Sequence, residues 1–344
     1  WNTHAVPPAG MRACTRNPPS GRKPRRSPRS EETEQGLGRV GRLSPVGQGQ
    51  LEPDGLAPPP PPGAPAARGA GDELETAAGL LVGPGAPLGA QYSPRELARY
   101  QGNPLIPQGA SSELMNKRFG LTREALDAFA VRSHRRAIEA SRAGRVQDQL
   151  VRLHEDPTDP DSPLVTADEG MRADPNPEKM ATLKPVFAAD GATTAANSSQ
   201  ISDGAAALLI ASRAYAQQHG LKPRARFVST AVAAADPVIQ FTAVLDATRK
   251  ALKESGLTPA DIDLFEVNEA FGGVPLMFQQ EFGIPDDRLN VNGGSVAIGH
   301  PLGASGARLV TTAINQLHRT GGRYALCTMC IGVGQGIAVI LEKV

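Results

Sequence analysis

Asn268, His300 and Cys330, three polar residues in the last quarter of the chain, carry side chains suited to one chemistry. A thiol and an imidazole exchange a proton readily, which suits acyl transfer. An asparagine amide beside them can hold a water or a carbonyl in place. Each of the three falls at an expected strand-to-helix or strand-to-turn junction, the edge where α/β folds gather reacting groups. Taken alone, each has a structural alternative, such as a packing cysteine or a structural histidine.

The histidine sits in an unusual stretch. Asn290 to Gly306 holds five glycines, one proline and one histidine. Glycine permits backbone conformations and close approaches closed to other residues. Pro301 restricts the backbone immediately after His300. The stretch therefore reads as a stiff turn that places a histidine before a helix. It lacks the Lys-Ser/Thr ending and the G-x-G-x-x-G order of phosphate loops. Cys327 and Cys330 form a C-x-x-C, but one such pair without a second pair or a nearby histidine is weak support for zinc. On a strand, an offset of three points them to opposite faces. Cys327 is expected in the core and Cys330 exposed at the strand end.

The elements that must position these residues follow from periodicity and caps. Ser111-Ser112-Glu113 offers an N-cap for a short helix ending at Gly120. Thr122 caps a longer helix, 123–143, with Leu126, Phe129, Ala130, Ser133 and Ala137 on one face. His134 within it reads as a solvated helix residue. Residues 154–185 are rich in Pro and Asp and read as loop, and their acid spacing does not match a calcium loop. Ala205 to Ala211 is a buried strand or a buried helix. Strands are expected at 226–233, 263–267, 323–329 and 336–341, and helices at 242–255 and 303–320. The link from Cys330 to Gly334 is short enough to require an antiparallel pair. This alternation predicts a layered α/β fold with a mixed sheet.

Composition separates the chain into two textures. The 344 residues carry a net charge of +1 and are 40% hydrophobic, so no general electrostatic case exists for nucleic acid or a membrane surface. No apolar run approaches the length of a membrane span. Three cysteines, Cys14, Cys327 and Cys330, are too few for a disulfide framework and favour a reduced, cytoplasmic setting. Residues 1–90 hold 16 of the 31 prolines and no Ile, Phe or Tyr. Such a segment cannot bury enough apolar surface to offset its ordering entropy, so disorder is expected for 1–87. Its basic run from Arg12 to Arg29 lacks the aromatics of a nucleic-acid patch and the apolar core of a secretory signal.

Taken together, the blocks resemble the thiolase family, of the acetyl-CoA acetyltransferase and 3-ketoacyl-CoA thiolase type. Val267-Asn268-Glu269-Ala270-Phe271 is similar to its asparagine block. Asn292-Gly293-Gly294 through Gly299-His300-Pro301-Leu302-Gly303-Ala304-Ser305-Gly306 is similar to its histidine block. Cys330-Ile331-Gly332-Val333-Gly334 is similar to its C-terminal cysteine block. The likeness extends back through Asn197-Ser198-Ser199, Asp168-Glu169-Gly170 and Arg118-Phe119-Gly120-Leu121 to about Leu88.

The resemblance implies a layered αβαβα fold with mixed sheets and an incomplete first half. Residues 88–216 would be the remnant of the N-terminal half with its inserted loop region, and 217–344 the C-terminal domain. His300 would hydrogen-bond the thioester oxygen and help activate the thiol, and Asn268 would hold the water that completes this oxyanion hole. Cys330 would be the acid/base at the second acyl-CoA or the CoA thiol. The backbone N–H of Gly332 would serve a second oxyanion hole. Ser199 would contact the pantetheine arm, and Phe271 would line the pocket. The implied activity is acyl-CoA C-acyltransfer or thiolysis of 3-ketoacyl-CoA in fatty-acid metabolism and β-oxidation. Coenzyme A and acyl-CoA are then substrates, with no cofactor or metal, and a homodimer or homotetramer is expected.

One departure stands out. Thiolases use a second, nucleophilic cysteine in an Asn-x-x-Cys-Ser-Ser-Gly block, and no such block is found here. Cys14, the remaining cysteine, lies between arginines with no strand-turn-helix elbow around it. Impaired activity is therefore expected, with a non-catalytic acyl-CoA-binding or subunit-pairing module, or a truncated inactive product, as the alternatives. Loss of most of the first half's sheet also predicts an exposed face on the second.

Overall fold

The computed structural model describes residues 94–99, 106–156 and 158–344. The expectations for 1–87, for Cys14 and for the start of the family-like region near Leu88 lie outside the described residues.

The first helices are α1 (Pro94–Arg99), α2 (Gln108–Phe119) and α3 (Arg123–Arg142). Helix α2 starts one turn earlier than expected, at Pro107 rather than Ser111-Ser112. Both serines lie inside the helix, fully buried. Ser111 Oγ donates to the Val238 carbonyl at 2.6 Å, and Ser112 Oγ meets Thr193 Oγ1 at 3.2 Å. A serine with a tertiary partner is released from its local preference for capping. Thr122 does cap α3, accepting from the Ala125 N–H. The predicted face of Leu126, Phe129, Ala130, Ser133 and Ala137 is buried. His134 is a correction: it is buried, and its Nδ1 accepts from the Arg172 N–H at 3.1 Å. The loop after α3 folds back over that side of the helix, which helical periodicity cannot reveal.

Residues 154–185 are mostly irregular, as expected, apart from α4 (Pro177–Ala181) and an isolated bridge between His154 and Leu164. The Ala205–Ala211 run is neither strand nor helix: residues 201–212 have no regular secondary structure. Leu209 and Ile210 are exposed there, at 64% and 68%. A strand needs a ladder partner for its backbone groups, and these residues join none of the four strands below.

After α5 (Arg213–Gln218) comes the mixed sheet. Its strands are β1 (Ala225–Ala234), β2 (Leu264–Val267), β3 (Tyr324–Ile331) and β4 (Gln335–Lys343), in the order β1-β4-β3-β2. Strands β2 and β3 are parallel, and β4 is antiparallel to both β3 and β1. Helices α6 (Ala243–Ser255) and α7 (Gly273–Phe282) cover one face, burying Val244, Leu245, Phe278, Phe265 and Leu326 in one cluster. The other face meets α9 (Leu302–Thr320), which follows the short α8 (Ser295–Ile298). Leu309, Val310, Ala313 and Leu317 of α9 pack on Leu264, Ala325, Cys327 and Leu341. Opposite faces at odd and even positions of β2 follow from the two-residue period of a strand. On the same face as Leu341, β1 is uncovered: its Phe227 pairs with Leu341 and is 41% exposed, and Val232 is 63% exposed.

Candidate active site

Strand β2 delivers Asn268. Beyond Val267 the backbone continues the parallel ladder, with the Asn268 N–H donating to the Thr328 carbonyl at 3.0 Å. The outer edge of β2 is closed by Asn290. Its Oδ1 accepts from the Val267 N–H and its Nδ2 donates to the Val267 carbonyl, both at 2.8 Å. A side-chain amide thus stands in for a neighbouring strand. Asn290 has φ of 44°, a left-handed conformation that Asn tolerates better than most residues.

Glu269 ties this edge to the glycine-rich stretch. Its buried carboxylate accepts from Ser133 Oγ at 2.7 Å, Asn290 Nδ2 at 2.9 Å and the Val296 N–H at 3.0 Å. Burial raises its pKa, an effect these hydrogen bonds only partly offset. Gly293 has φ of 76°, and a Cβ there would lie 2.6 Å from the Ser133 carbonyl oxygen. The backbone therefore approaches α3 more closely than any side chain allows.

His300 sits between α8 and α9, as the glycine and proline pattern implied. Its N–H donates to the Gln200 carbonyl at 3.0 Å. Asn268 Nδ2 lies 3.2 Å from His300 Nε2. An amide NH2 only donates, so Nε2 accepts and carries no proton. The ring proton is on Nδ1, 2.6 Å from Ser305 Oγ, and Ser305 in turn donates to the Pro301 carbonyl at 2.9 Å. Burial, reinforced by the charge of Arg308, lowers the imidazole pKa to about 4. The ring is neutral at physiological pH.

Ser199 lies on the segment joining these two blocks. Its N–H donates to the Ala270 carbonyl at 3.0 Å, and the next residue, Gln200, holds the histidine turn. Gln200 Nε2 donates to the carbonyl of Gly170 at 2.8 Å and lies near those of Val296 and Ala297. Phe271 stands edge-on to Phe241 and to Phe187, with centroid separations of 5.4 and 6.0 Å. Cys330, near the end of β3, packs against the same cluster as Phe271. It is half-buried rather than exposed, because its side of the strand packs against the apolar cluster that includes Val244, Phe265 and Leu326. Burial pushes its thiol up to about 12. Cys327 is core, 3% exposed, as expected.

Gly332 occupies the turn between β3 and β4, where Val333 adopts φ of 64° and Gly334 φ of 77°. A β-branched residue in the left-handed region is strained. The strained tip is held by Gln240, whose Oε1 accepts from the Val333 N–H at 3.1 Å and whose Nε2 donates to Ser111 Oγ at 2.9 Å. Asn268 and His300 are thus in direct contact, while Cys330 and Gly332 occupy the adjoining strand end and turn. Among the described residues no hydrogen bond joins the Cys330 thiol to His300 or Asn268. Sequence reasoning missed Gln200, Glu269, Ser295, Ser305 and Arg308. Arg308 carried a signal, a charged residue directly beside the apolar stripe of α9.

No group of three or more His, Cys, Asp or Glu side chains suited to a metal ion occurs among the described residues. No described helix is long and apolar enough to cross a membrane.

The family description "Thiolase, N-terminal domain" matches residues 99–214, and "Thiolase, C-terminal domain" matches 221–343. A 3-ketoacyl-CoA thiolase of Marinomonas sp. (strain MWYL1) is 43% identical over 252 residues, covering 72% of this chain and 64% of that protein. An acetyl-CoA acetyltransferase of Allochromatium vinosum is 40% identical over 235 residues, covering 68% of this chain and 60% of that protein. The crystal structure of human mitochondrial 3-ketoacyl-CoA thiolase in complex with CoA superposes with a TM-score of 0.65 at 34% identity, covering 70% of this chain and 59% of that one. The chain spans about three fifths of the length of these relatives. With the two family descriptions matched in order over residues 99–214 and 221–343, the chain is a member of the thiolase family.

Proposed function

We propose that this chain supplies the histidine–asparagine half of an acyl-CoA C-acyltransferase site, acting on acyl-CoA and coenzyme A. The observation that carries the reading is the Asn268–His300 contact, which leaves a neutral imidazole with an unprotonated Nε2. Once the Asn268 hydrogen bond is released, this nitrogen takes the proton of an attacking thiol as the sulfur adds to a thioester carbonyl. The Nε2–H so formed then donates to the oxygen where negative charge develops, beside a water held by the Asn268 amide. Cys330, with its thiol near 12, holds its proton at rest. That suits an acid/base for the C2 carbon of a second acyl-CoA or for the departing CoA thiol, and does not suit a resting nucleophile.

The reading assigns the Gly332 N–H to a second oxyanion hole, Ser199 to the pantetheine arm and Phe271 to the pocket wall. The nucleophilic thiol comes from outside the described residues. A cytoplasmic homodimer or homotetramer acting in fatty-acid or related thioester metabolism fits this chemistry. A second reading, a subunit-pairing module without turnover of its own, is favoured by the exposed apolar residues Leu209, Ile210 and Val232.

Two measurements separate the readings. With the missing first half of the family fold restored, thiolysis of acetoacetyl-CoA by CoA is expected to depend on His300 and Cys330, and turnover untouched by His300→Ala and Cys330→Ala would refute the assigned roles. Concentration-dependent association in sedimentation, lost in Val232→Thr and Ile210→Ser, with no turnover in that assay would favour the second reading.

A further inference from the structure

Beyond the residues of the asparagine, histidine and cysteine blocks, α9 buries an arginine. Arg308 is 7% exposed, beside the apolar stripe of α9. A guanidinium stays protonated at any physiological pH, and burying it is costly. Its Nη2 donates to Ser295 Oγ at 3.0 Å. Ser295 is fully buried, and its Oγ lies 2.7 Å from Asn268 Oδ1.

The directions of these bonds follow from the donors. Arginine can only donate, so Ser295 Oγ accepts from it. The single hydroxyl proton is then directed to Asn268, which must present its carbonyl oxygen. The amide NH2 is thereby turned toward His300, and Nε2 must accept. Rotating the amide would set NH2 against the Ser295 hydroxyl proton and the carbonyl oxygen against the ring. We propose that Arg308, acting through Ser295, is a positioning residue that orients the Asn268 amide and so holds His300 in the Nδ1–H tautomer.

The catalytic meaning of this tautomer rests on the acyl-transfer reading above, whereas the tautomer itself does not. The experiment therefore needs no turnover. In the full-length 15N-labelled chain at neutral pH, long-range proton–nitrogen correlation distinguishes a protonated ring nitrogen from a bare one. The His300 signals are assigned by their loss in His300→Gln. The parent is expected to show a protonated Nδ1 and a bare Nε2. Ser295→Ala and Arg308→Met are expected to shift both nitrogens toward an averaged mixture of tautomers, and Arg308→Lys to shift them less. A parent with the proton on Nε2, or a Ser295→Ala variant with parental nitrogen shifts, would overturn the proposal. Should Arg308→Met fail to fold, Ser295→Ala decides, since it removes the relay and keeps the buried charge. Parental shifts with no thiolysis even when the missing first half is restored would sink the acyl-transfer reading alone.

Discussion

Asn268 Nδ2 donates to His300 Nε2 over 3.2 Å, and these two residues lie on different elements. One closes β2, and the other opens the turn before α9. Their contact depends on everything that sets the strand end and the glycine-rich turn relative to each other.

Glu269 is the chief connector in that arrangement. Replacing it with Ala leaves Ser133 Oγ, Asn290 Nδ2 and the Val296 N–H without their buried acceptor. Each unsatisfied buried donor costs about 1–3 kcal/mol, so Glu269→Ala is expected to lose roughly 3 kcal/mol or more. The midpoint of urea unfolding measures this, and an unchanged midpoint would contradict the connector role.

Gly293 tests the close approach to α3. A Cβ would sit 2.6 Å from the Ser133 carbonyl oxygen at φ of 76°, so Gly293→Ala combines a clash with left-handed strain. A loss on the order of 2–4 kcal/mol is expected, together with displacement of the histidine turn. Thermal denaturation reports the first. Loss of the parental His300 ring signals reports the second.

Acid stability carries the signature of two buried imidazoles. His134 and His300 both titrate near 4 in the folded chain because burial opposes their charge. Unfolded histidine titrates near 6.5, so between these values the unfolded state binds more protons. Their contribution is full above about pH 6.5 and is lost as pH falls through 4. His300→Gln is expected to reduce the acid-induced loss by on the order of 2 kcal/mol, allowing for the partial exposure of the ring. Unfolding free energies of parent and variant measured across this window should converge toward low pH. Parallel curves would contradict a neutral His300.

Glu266 predicts the opposite slope. It is fully buried on β2, neither carboxylate oxygen has a hydrogen-bond partner among the described residues, and burial raises its pKa to about 8 against the pull of Arg308. The folded state therefore holds this proton more tightly than the unfolded one. That contribution is full below about 4.5 and is lost as pH rises through 8. Glu266→Gln should remove this alkaline loss, a difference on the order of 3 kcal/mol by about pH 9. Identical pH dependence in the two proteins would show that Glu266 is ionised in the fold.

The exposed apolar residues of β1 and of the irregular segment 201–212 give a solubility prediction. Val232→Thr and Ile210→Ser replace exposed apolar groups at 63% and 68% exposure. Light scattering on concentration should fall, while thermal stability changes by no more than about 0.5 kcal/mol. Undiminished scattering would place the sticky surface elsewhere.

Much of the fold was legible in local sequence. Thr122 as a cap, the helix ends at Gly120 and Gly256, the stripe of Leu309, Val310, Ala313 and Leu317, and the short β3–β4 connection are each decided by residues close together in the chain. Helical and strand periods and turn stereochemistry act over a few residues, so they can be read in one pass. The same holds for the type and order of Asn268, His300 and Cys330.

What the chain alone did not determine depends on partners distant in sequence. Ser111 reads as a cap until Val238 claims its hydroxyl. His134 reads as solvated until Arg172 folds over it. Ala205–Ala211 reads as a buried element, yet it joins none of the four strands and stays irregular. The sequence determined that a histidine would be held in a stiff turn near an asparagine. Only the tertiary structure decided which ring nitrogen carries the proton, because the bonds from Arg308 to Ser295, from Ser295 to Asn268 and from Asn268 to His300 cross from α9 to α8, to the end of β2 and back to the histidine turn. Hydrogen-bond direction is set by donors and acceptors meeting in space, which no local period encodes.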